Sequence, residues 1–244
     1  MKRQRQSQYQ SVDGKWCRLY TSDSKLFYTI LKEMSNENAL DLHHVHQSFQ
    51  RSLKEEDDVV IEAYIDGYNE LVKFLNLIGS VFSFVSSDVK SKIKIMEKHR
   101  EGEDAVHYDS FKKMMKFEKE TNLCDKNGFV SGSRTMLRLH RGLDFIRLFL
   151  KRLSEADENM NTCTTCQGSY NETLANFHPW YIRKAATLAM HALPSRPDLL
   201  KKIFGTDESL TAALAVLPQT LASCDEVYKR VEQLYTDFDF HELP

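Results

Sequence analysis

From Leu40 onward apolar residues return every three or four positions, with few glycines or prolines between them and no sustained apolar–polar alternation, so the pattern is that of helices and not strands. The spacing predicts helices over about 39–53, 59–78, 80–99, 108–122, 132–154, 165–176, 180–192, 197–204 and 208–237. The breaks have chemical causes. Gly102 follows a charged helix end, Asn127-Gly128 makes a turn, Ser131 or Ser133 can cap the next helix, and Pro194 and Pro197 stop another. Residues 1–35 differ: a Gln-rich polar start precedes one apolar run, Leu26 to Leu31, which reads as a partly disordered extension with room for one short helix. No internal repeat or second boundary interrupts 36–244, so the expectation is one all-α domain behind an extension.

Three stretches place polar groups where the pattern does not call for them. On a wheel of about 100° per residue, Phe82, Val85, Val89, Ile93 and Met96 form one stripe with Val81, Phe84 and Ile95 beside it. Asp88 and Lys92 fall inside that apolar arc, while Ser83, Ser87, Lys90, Ser91 and Lys94 gather opposite. The same spacing fits an ordinary i,i+4 surface pair of a few tenths of a kcal/mol. Placement on the buried side favours a retained, functional pair.

The helix from Ser133 to Leu150 carries Met136, Leu139, Leu143, Ile146 and Leu150 as its main stripe, with His140, Asp144, Arg147 and Lys151 as a polar edge. Arg134, Arg138 and Arg141 share another face within roughly 60° of one another, with no acid among them. Like charges at i,i+4 repel unless something anionic lies against them, and forked guanidinium groups match phosphate oxygens. A solvated basic face, or pairing with acids of a neighbouring helix, accounts for the spacing equally well. The third stretch is Phe177-His178-Pro179-Trp180-Tyr181. The proline puts His178 at a junction and Trp180 on the first turn of the next helix, where they serve either as donor and interfacial anchor or as packed core residues.

The totals narrow the functional classes. With 33 basic and 35 acidic side chains, the net charge of -2 offers no global attraction to nucleic acid, and the arginine patch is small. The basic first residues lack an apolar core of the secretory kind, and the most apolar stretch, Leu71 to Val85, is broken by Lys73, Asn76 and Ser80, so the chain is expected to be soluble. Five cysteines make a poor disulfide framework and suit a reducing compartment. Cys163-Thr164-Thr165-Cys166 has no second pair for zinc, His43, His44 and His46 read as surface residues, and Asn171-Glu172-Thr173 matches a glycosylation sequon with no signal to deliver it. No phosphate loop, nucleophile elbow or paired-carboxylate motif is visible, so no catalytic residue, metal or cofactor is expected.

The stretches Leu71 to Asn76, Phe82 to Lys92, Arg134 to Arg141 and Phe177 to Trp180, in this order and spacing, resemble the successive signatures of the glycolipid transfer protein superfamily over about Leu40 to Pro244. The resemblance implies a two-layer sandwich of about eight helices enclosing an apolar lipid pocket, with the headgroup held at the surface. It implies Asp88 as acceptor for the ceramide amide and hydroxyl, and His178 as donor to the amide carbonyl. Lys92 stands where the sugar-binding branch has Asn, and Arg138 aligns with that branch's sugar-stacking Trp. Lys92, Arg134 and Arg138 therefore point to the ceramide-1-phosphate branch, with Arg141 touching the phosphate or bracing the site. A phosphate carrying about -1.5 to -2 charges suits such cations. Phe82, Phe84, Phe145 and Phe149 are expected as pocket walls and Trp180 as the docking anchor. The expected protein is a monomeric cytosolic carrier that meets membranes transiently and reversibly. A glycolipid carrier, and a helical scaffold gripping acidic segments through the arginine face, are the alternatives.

Overall fold

The computed structural model describes residues 39–53, 57–79 and 82–244. The expected extension over 1–35 and Val81 lie outside them. Among the described residues the chain forms nine α-helices: α1 (Leu42–Ser52), α2 (Ile61–Leu77), α3 (Ser83–Glu101), α4 (Phe111–Glu120), α5 (Gly132–Glu155), α6 (Thr162–Glu172), α7 (Trp180–Met190), α8 (Arg196–Phe204) and α9 (Asp207–Phe238). An isolated antiparallel bridge, Val60 to Ser110, ties the approaches to α2 and α4.

Side chains at the helix starts explain most boundaries. Asp41, Ser110, Ser131, Asn161, Ser195 and Thr206 each accept an amide proton from the first turn of α1, α4, α5, α6, α8 and α9. The Ser110 cap moves the start of α4 to Phe111, leaving Ala105–Tyr108 as a 3-10 turn, and the Asn161 cap starts α6 at Thr162, earlier than expected from its polar, weakly periodic sequence. Pro218 lies inside α9, on its exposed side.

Packing joins α1 to α2, α2 to α3, α3 to α5, α5 to α9 and α9 back to α1, a closed ring of five helices. Around it, α4 rests on α5 and α9, α6 on α5, α7 on α6, and α8 on α9 and α2. The ring buries Phe49, Tyr64, Tyr68, Phe74, Phe149 and Tyr235 completely. At roughly 1.5–3 kcal/mol for each large apolar side chain, this cluster is the main source of cohesion. Two buried hydroxyls donate across it: Tyr68 to the Leu139 carbonyl at 2.7 Å and Tyr235 to the Ser133 carbonyl at 2.8 Å.

Four expectations about burial need correction. Asp88 is not on the buried side: its side chain is 63% exposed, and only its partner Lys92, at 14%, is largely covered. Phe84 faces outward, while Phe82, Phe145 and Phe149 are buried. The wheel gives an angle, but which angle is covered depends on neighbouring helices. His140 is buried because α9 packs on the supposed polar edge. Its ring stacks on Tyr228 at 4.4 Å between centroids and pairs with Glu232 at 2.6 Å, while Arg147 bridges Asp144 and Asp225. Burial pulls His140 below the ordinary imidazole value, so its Nε2–H donates to the Glu232 carboxylate from a neutral ring. His44 and His46 are half-buried with polar partners, Asp66 at 3.2 Å and Ser223 at 2.7 Å.

Candidate functional site

Glu118, on α4, fixes where α5 begins. It lies on that helix's buried stripe with Phe111, Met114 and Met115 and is itself fully buried. Its carboxylate accepts from Ser131 Oγ at 2.6 Å, from the amides of Gly132 and Ser133 at 2.7 and 3.0 Å, and from Tyr108 at 3.1 Å. A Cβ on Gly132 would come within 2.8 Å of Met114 Sδ and 2.9 Å of the Tyr108 ring, so the first residue of α5 has no room for a side chain. An acid at the i+7 position of an apolar stripe was the legible sign of this anchor, which sequence reasoning missed.

The first turns of α5 carry the three arginines. Arg134 Nε is buried with no hydrogen-bond partner among the described residues. Arg138 donates through Nη1 to the Arg134 carbonyl at 3.5 Å and through Nη2 to the backbone oxygen of Pro244 at 3.0 Å. Arg141 donates to the His241 carbonyl at 2.6 Å and lies over the Phe177 ring at 3.8 Å. Burial pulls Arg141 below the ordinary guanidinium value; Glu242 counters this and Arg138 adds to it. Among the described residues no Asp or Glu side chain comes within 4.0 Å of these three guanidinium groups, whereas Arg147 and Arg152 of the same helix pair with Asp144, Asp225 and Glu172. Pairing with acids of a neighbouring helix is therefore not the arrangement found there.

Asp88 and Lys92, on α3, pair at 2.5 Å. The Asp88 charge is felt at two places. It raises the Tyr68 hydroxyl, whose displacement comes mainly from burial, and it opposes the burial that pulls His178 below the ordinary imidazole value. Tyr68 donates to Leu139, and its oxygen would stand 2.7 Å from a Cβ on Gly142, so it lies against α5 between the turns bearing Arg138 and Arg141. His178 follows Phe177, the ring beneath Arg141, and its Nδ1 is 2.8 Å from the Tyr170 hydroxyl. Contacts and charge thus link Asp88, Tyr68, α5, Arg141, Phe177 and His178 in a circuit. Neither Tyr68 nor Tyr170 stood out from the apolar pattern, although a lone glycine inside a strong helix pattern, Gly142, marked the close approach.

The start of α7 is apolar and exposed. Trp180 is 67% exposed, against the core alternative, with Phe177, Tyr181 and Leu188 also outward; Trp180 and Tyr181 meet edge to face at 6.2 Å. Spacings of four and seven residues put Trp180, Tyr181, Lys184 and Leu188 on one face. No helix among the described residues is long and apolar enough to cross a membrane, and no group of three metal-ligating side chains occurs among them. Cys124, Cys163, Cys166 and Cys224 are unpaired.

Comparison with known proteins agrees with this geometry. The family model for glycolipid transfer protein matches residues 59–205. The ceramide-1-phosphate transfer protein of Danio rerio is 43% identical over 211 residues, covering 85% of this chain and 99% of the relative. The mouse ceramide-1-phosphate transfer protein in its apo form superposes with a TM-score of 0.78 at 38% identity, over 84% of this chain and all of that one. The human protein in complex with 2:0 ceramide-1-phosphate gives 0.77 at 37% identity, again over 84% and 100%. A family model that matches more than half of the chain, and relatives this similar along nearly their whole length, show that the chain belongs to the glycolipid transfer protein family.

Proposed function

We propose that the chain carries ceramide-1-phosphate between membranes without any covalent step, as a monomer that works in the cytosol and meets membranes reversibly. The observation that carries this reading is the contrast along α5: Arg147 and Arg152 pair with Asp or Glu side chains, while Arg134, Arg138 and Arg141 pair with none among the described residues. A phosphate of about -1.5 to -2 charges supplies the missing counter-charge in a geometry that guanidinium groups match. The relatives' ceramide-1-phosphate complex supports the same headgroup.

In this reading Lys92, Arg134 and Arg138 hold the phosphate. Arg141, occupied on one side by His241 and on the other by Phe177, braces the site. Asp88 keeps lone pairs toward solvent beside its bond to Lys92 and accepts from the ceramide amide and hydroxyl. Tyr170 donates to His178 Nδ1, which leaves the proton of the neutral ring on Nε2, ready for the amide carbonyl. The acyl and sphingoid chains, which water rejects, are sheathed between helices. Transfer of fluorescent ceramide-1-phosphate between vesicles should outpace that of glucosylceramide by at least about tenfold, a preference of roughly 1.4 kcal/mol. Equal or faster glucosylceramide transfer would assign the chain to the sugar branch, and lipid-independent binding of acidic peptides would favour the scaffold.

Docking falls to the exposed end of α7. Trp180→Ala should cut partitioning onto vesicles by about three- to tenfold, since an indole at an interface contributes on the order of 1 kcal/mol, with the melting temperature shifted by no more than about 2 °C. A large drop in melting temperature with unchanged partitioning would make Trp180 a packing residue instead.

A further inference from the structure

We propose that Cys163 and Cys166 form a peroxide-sensitive dithiol, in which His191 activates the outer thiol and the inner one closes a disulfide. The pair lies at the start of α6, whereas Tyr170, which serves the headgroup site, lies near that helix's end.

Among the four cysteines of the described residues, three are shut away. Cys124, Cys166 and Cys224 are buried, and burial pushes their thiols up to about 11, about 12 and about 12 respectively. Such thiols keep their protons and offer no ready nucleophile. Cys163 differs in being only half-buried, and its Sγ lies 3.5 Å from Nδ1 of the exposed His191. Two bonds tie the end of α7 across the start of α6 and bring thiol and imidazole together. The Thr162 hydroxyl donates to the Pro194 carbonyl at 2.5 Å, and the Gln167 amide donates to the Thr187 carbonyl at 3.4 Å. Gln167 also stands 3.5 Å from Nε2 of His191, which steadies the ring. A basic ring in contact with a reachable thiol is the arrangement that activates a sulfur nucleophile.

Cys166 stands three residues further along the helix, beneath Cys163. Neighbours at that spacing have Cβ atoms about 5–6 Å apart, and a disulfide spans about 3.5–4.5 Å, so the turn has to tighten by about 1–2 Å. A helix start can yield in this way because its first amides have no carbonyl of the preceding turn to hold them. Asn161 closes the turn, its side chain accepting from the Thr164 amide at 2.9 Å and its carbonyl from the Thr165 amide at 3.0 Å.

Hydrogen peroxide is the oxidant. His191 takes the Cys163 proton as the sulfur attacks one peroxide oxygen; the S–O bond forms, the O–O bond breaks, and the departing hydroxide collects that proton and leaves as water. The Cys166 sulfur then attacks the sulfenic sulfur. The S–S bond forms, the S–O bond breaks, and the hydroxide leaves with the Cys166 proton as a second water. Two thiols have lost two electrons and one peroxide has taken them up. In a reducing compartment such a bond is transient, which suits a sensor and not a staple.

The test treats the reduced, intact chain with equimolar hydrogen peroxide, blocks the remaining thiols and maps the tryptic peptides. The peptide from Leu153 to Arg183 holds both cysteines and no other. It should become lighter by two hydrogens, escape the blocking reagent and revert with dithiothreitol, before the peptides of Cys17, Cys124 and Cys224 change. Cys166→Ser should stop at a sulfenic acid that dimedone captures on Cys163, and Cys163→Ser should leave Cys166 reduced. His191→Gln should slow the loss of the Cys163 thiol by about tenfold or more, below the usual range for a positioned base. Oxidation spread evenly over the five cysteines, or a His191→Gln chain that reacts within about twofold of the intact rate, overturns the inference. Should a variant not fold, the map of the intact chain decides, and a 153–183 peptide that stays reduced or gains oxygen without forming the disulfide sinks the idea.

Discussion

Arg138→Leu should lower ceramide-1-phosphate transfer by about ten- to a hundredfold and leave the fold intact. The variant removes one charge-assisted hydrogen bond to a partly desolvated phosphate, worth about 1.5–3 kcal/mol. Stability should hold because Arg138 is exposed and its partners in the protein are two backbone oxygens, so no buried carboxylate loses its counter-ion. Loss of a surface side chain of this kind stays within about 0.5 kcal/mol, and removal of one of three neighbouring cations relieves repulsion. Lys92→Asn should weaken transfer similarly but behave differently in the melt, since Lys92 is largely covered and bonded to Asp88. Vesicle transfer and thermal denaturation of both variants check this. Retained phosphate selectivity with a several-kcal/mol loss of stability would make the arginines structural.

Asp88→Val should reduce transfer of every ceramide-based lipid the intact chain carries to background, because the acceptor serves the part common to all of them. Two lost hydrogen bonds to a charged group amount to about 3–6 kcal/mol, beyond what transfer can survive. Lys92 then keeps its charge without its partner, at a cost of about 1 kcal/mol or a fall of roughly 2–4 °C in melting temperature. Transfer near the intact rate in a folded variant would remove Asp88 from the site. The two substitutions also separate roles, since Arg138→Leu touches only phosphorylated lipid.

The helices and the cations could be read from the sequence because each is a local property. Periodicity follows from 3.6 residues per turn, Ser131 is a cap by its chemistry, and three arginines on one face of α5 remain so in any packing. What was illegible depends on which helix lies opposite. Asp88 and Phe84 share an arc with buried residues, yet no helix among the described residues covers them, and His140 sits with polar neighbours that α9 turns into a buried seam. Backbone acceptors leave no trace at all. Nothing in the letters His241 and Pro244 says that their oxygens meet guanidinium groups.

The way α5 begins also decides what kind of anion site this helix can offer. Arg134 is its third residue, and the open end of a helix commonly draws anions with its own unpaired amides and the positive end of its dipole. Here Glu118 takes the amides of Gly132 and Ser133, and the Ser131 hydroxyl takes that of Arg134 at 3.1 Å, so the protein has already spent its backbone polarity on an internal counter-ion. An anion arriving at this end finds side chains alone. Affinity then rests on individually replaceable guanidinium groups, which lets a lineage retune its cargo by exchanging single residues along α5 without disturbing how the helix is nucleated.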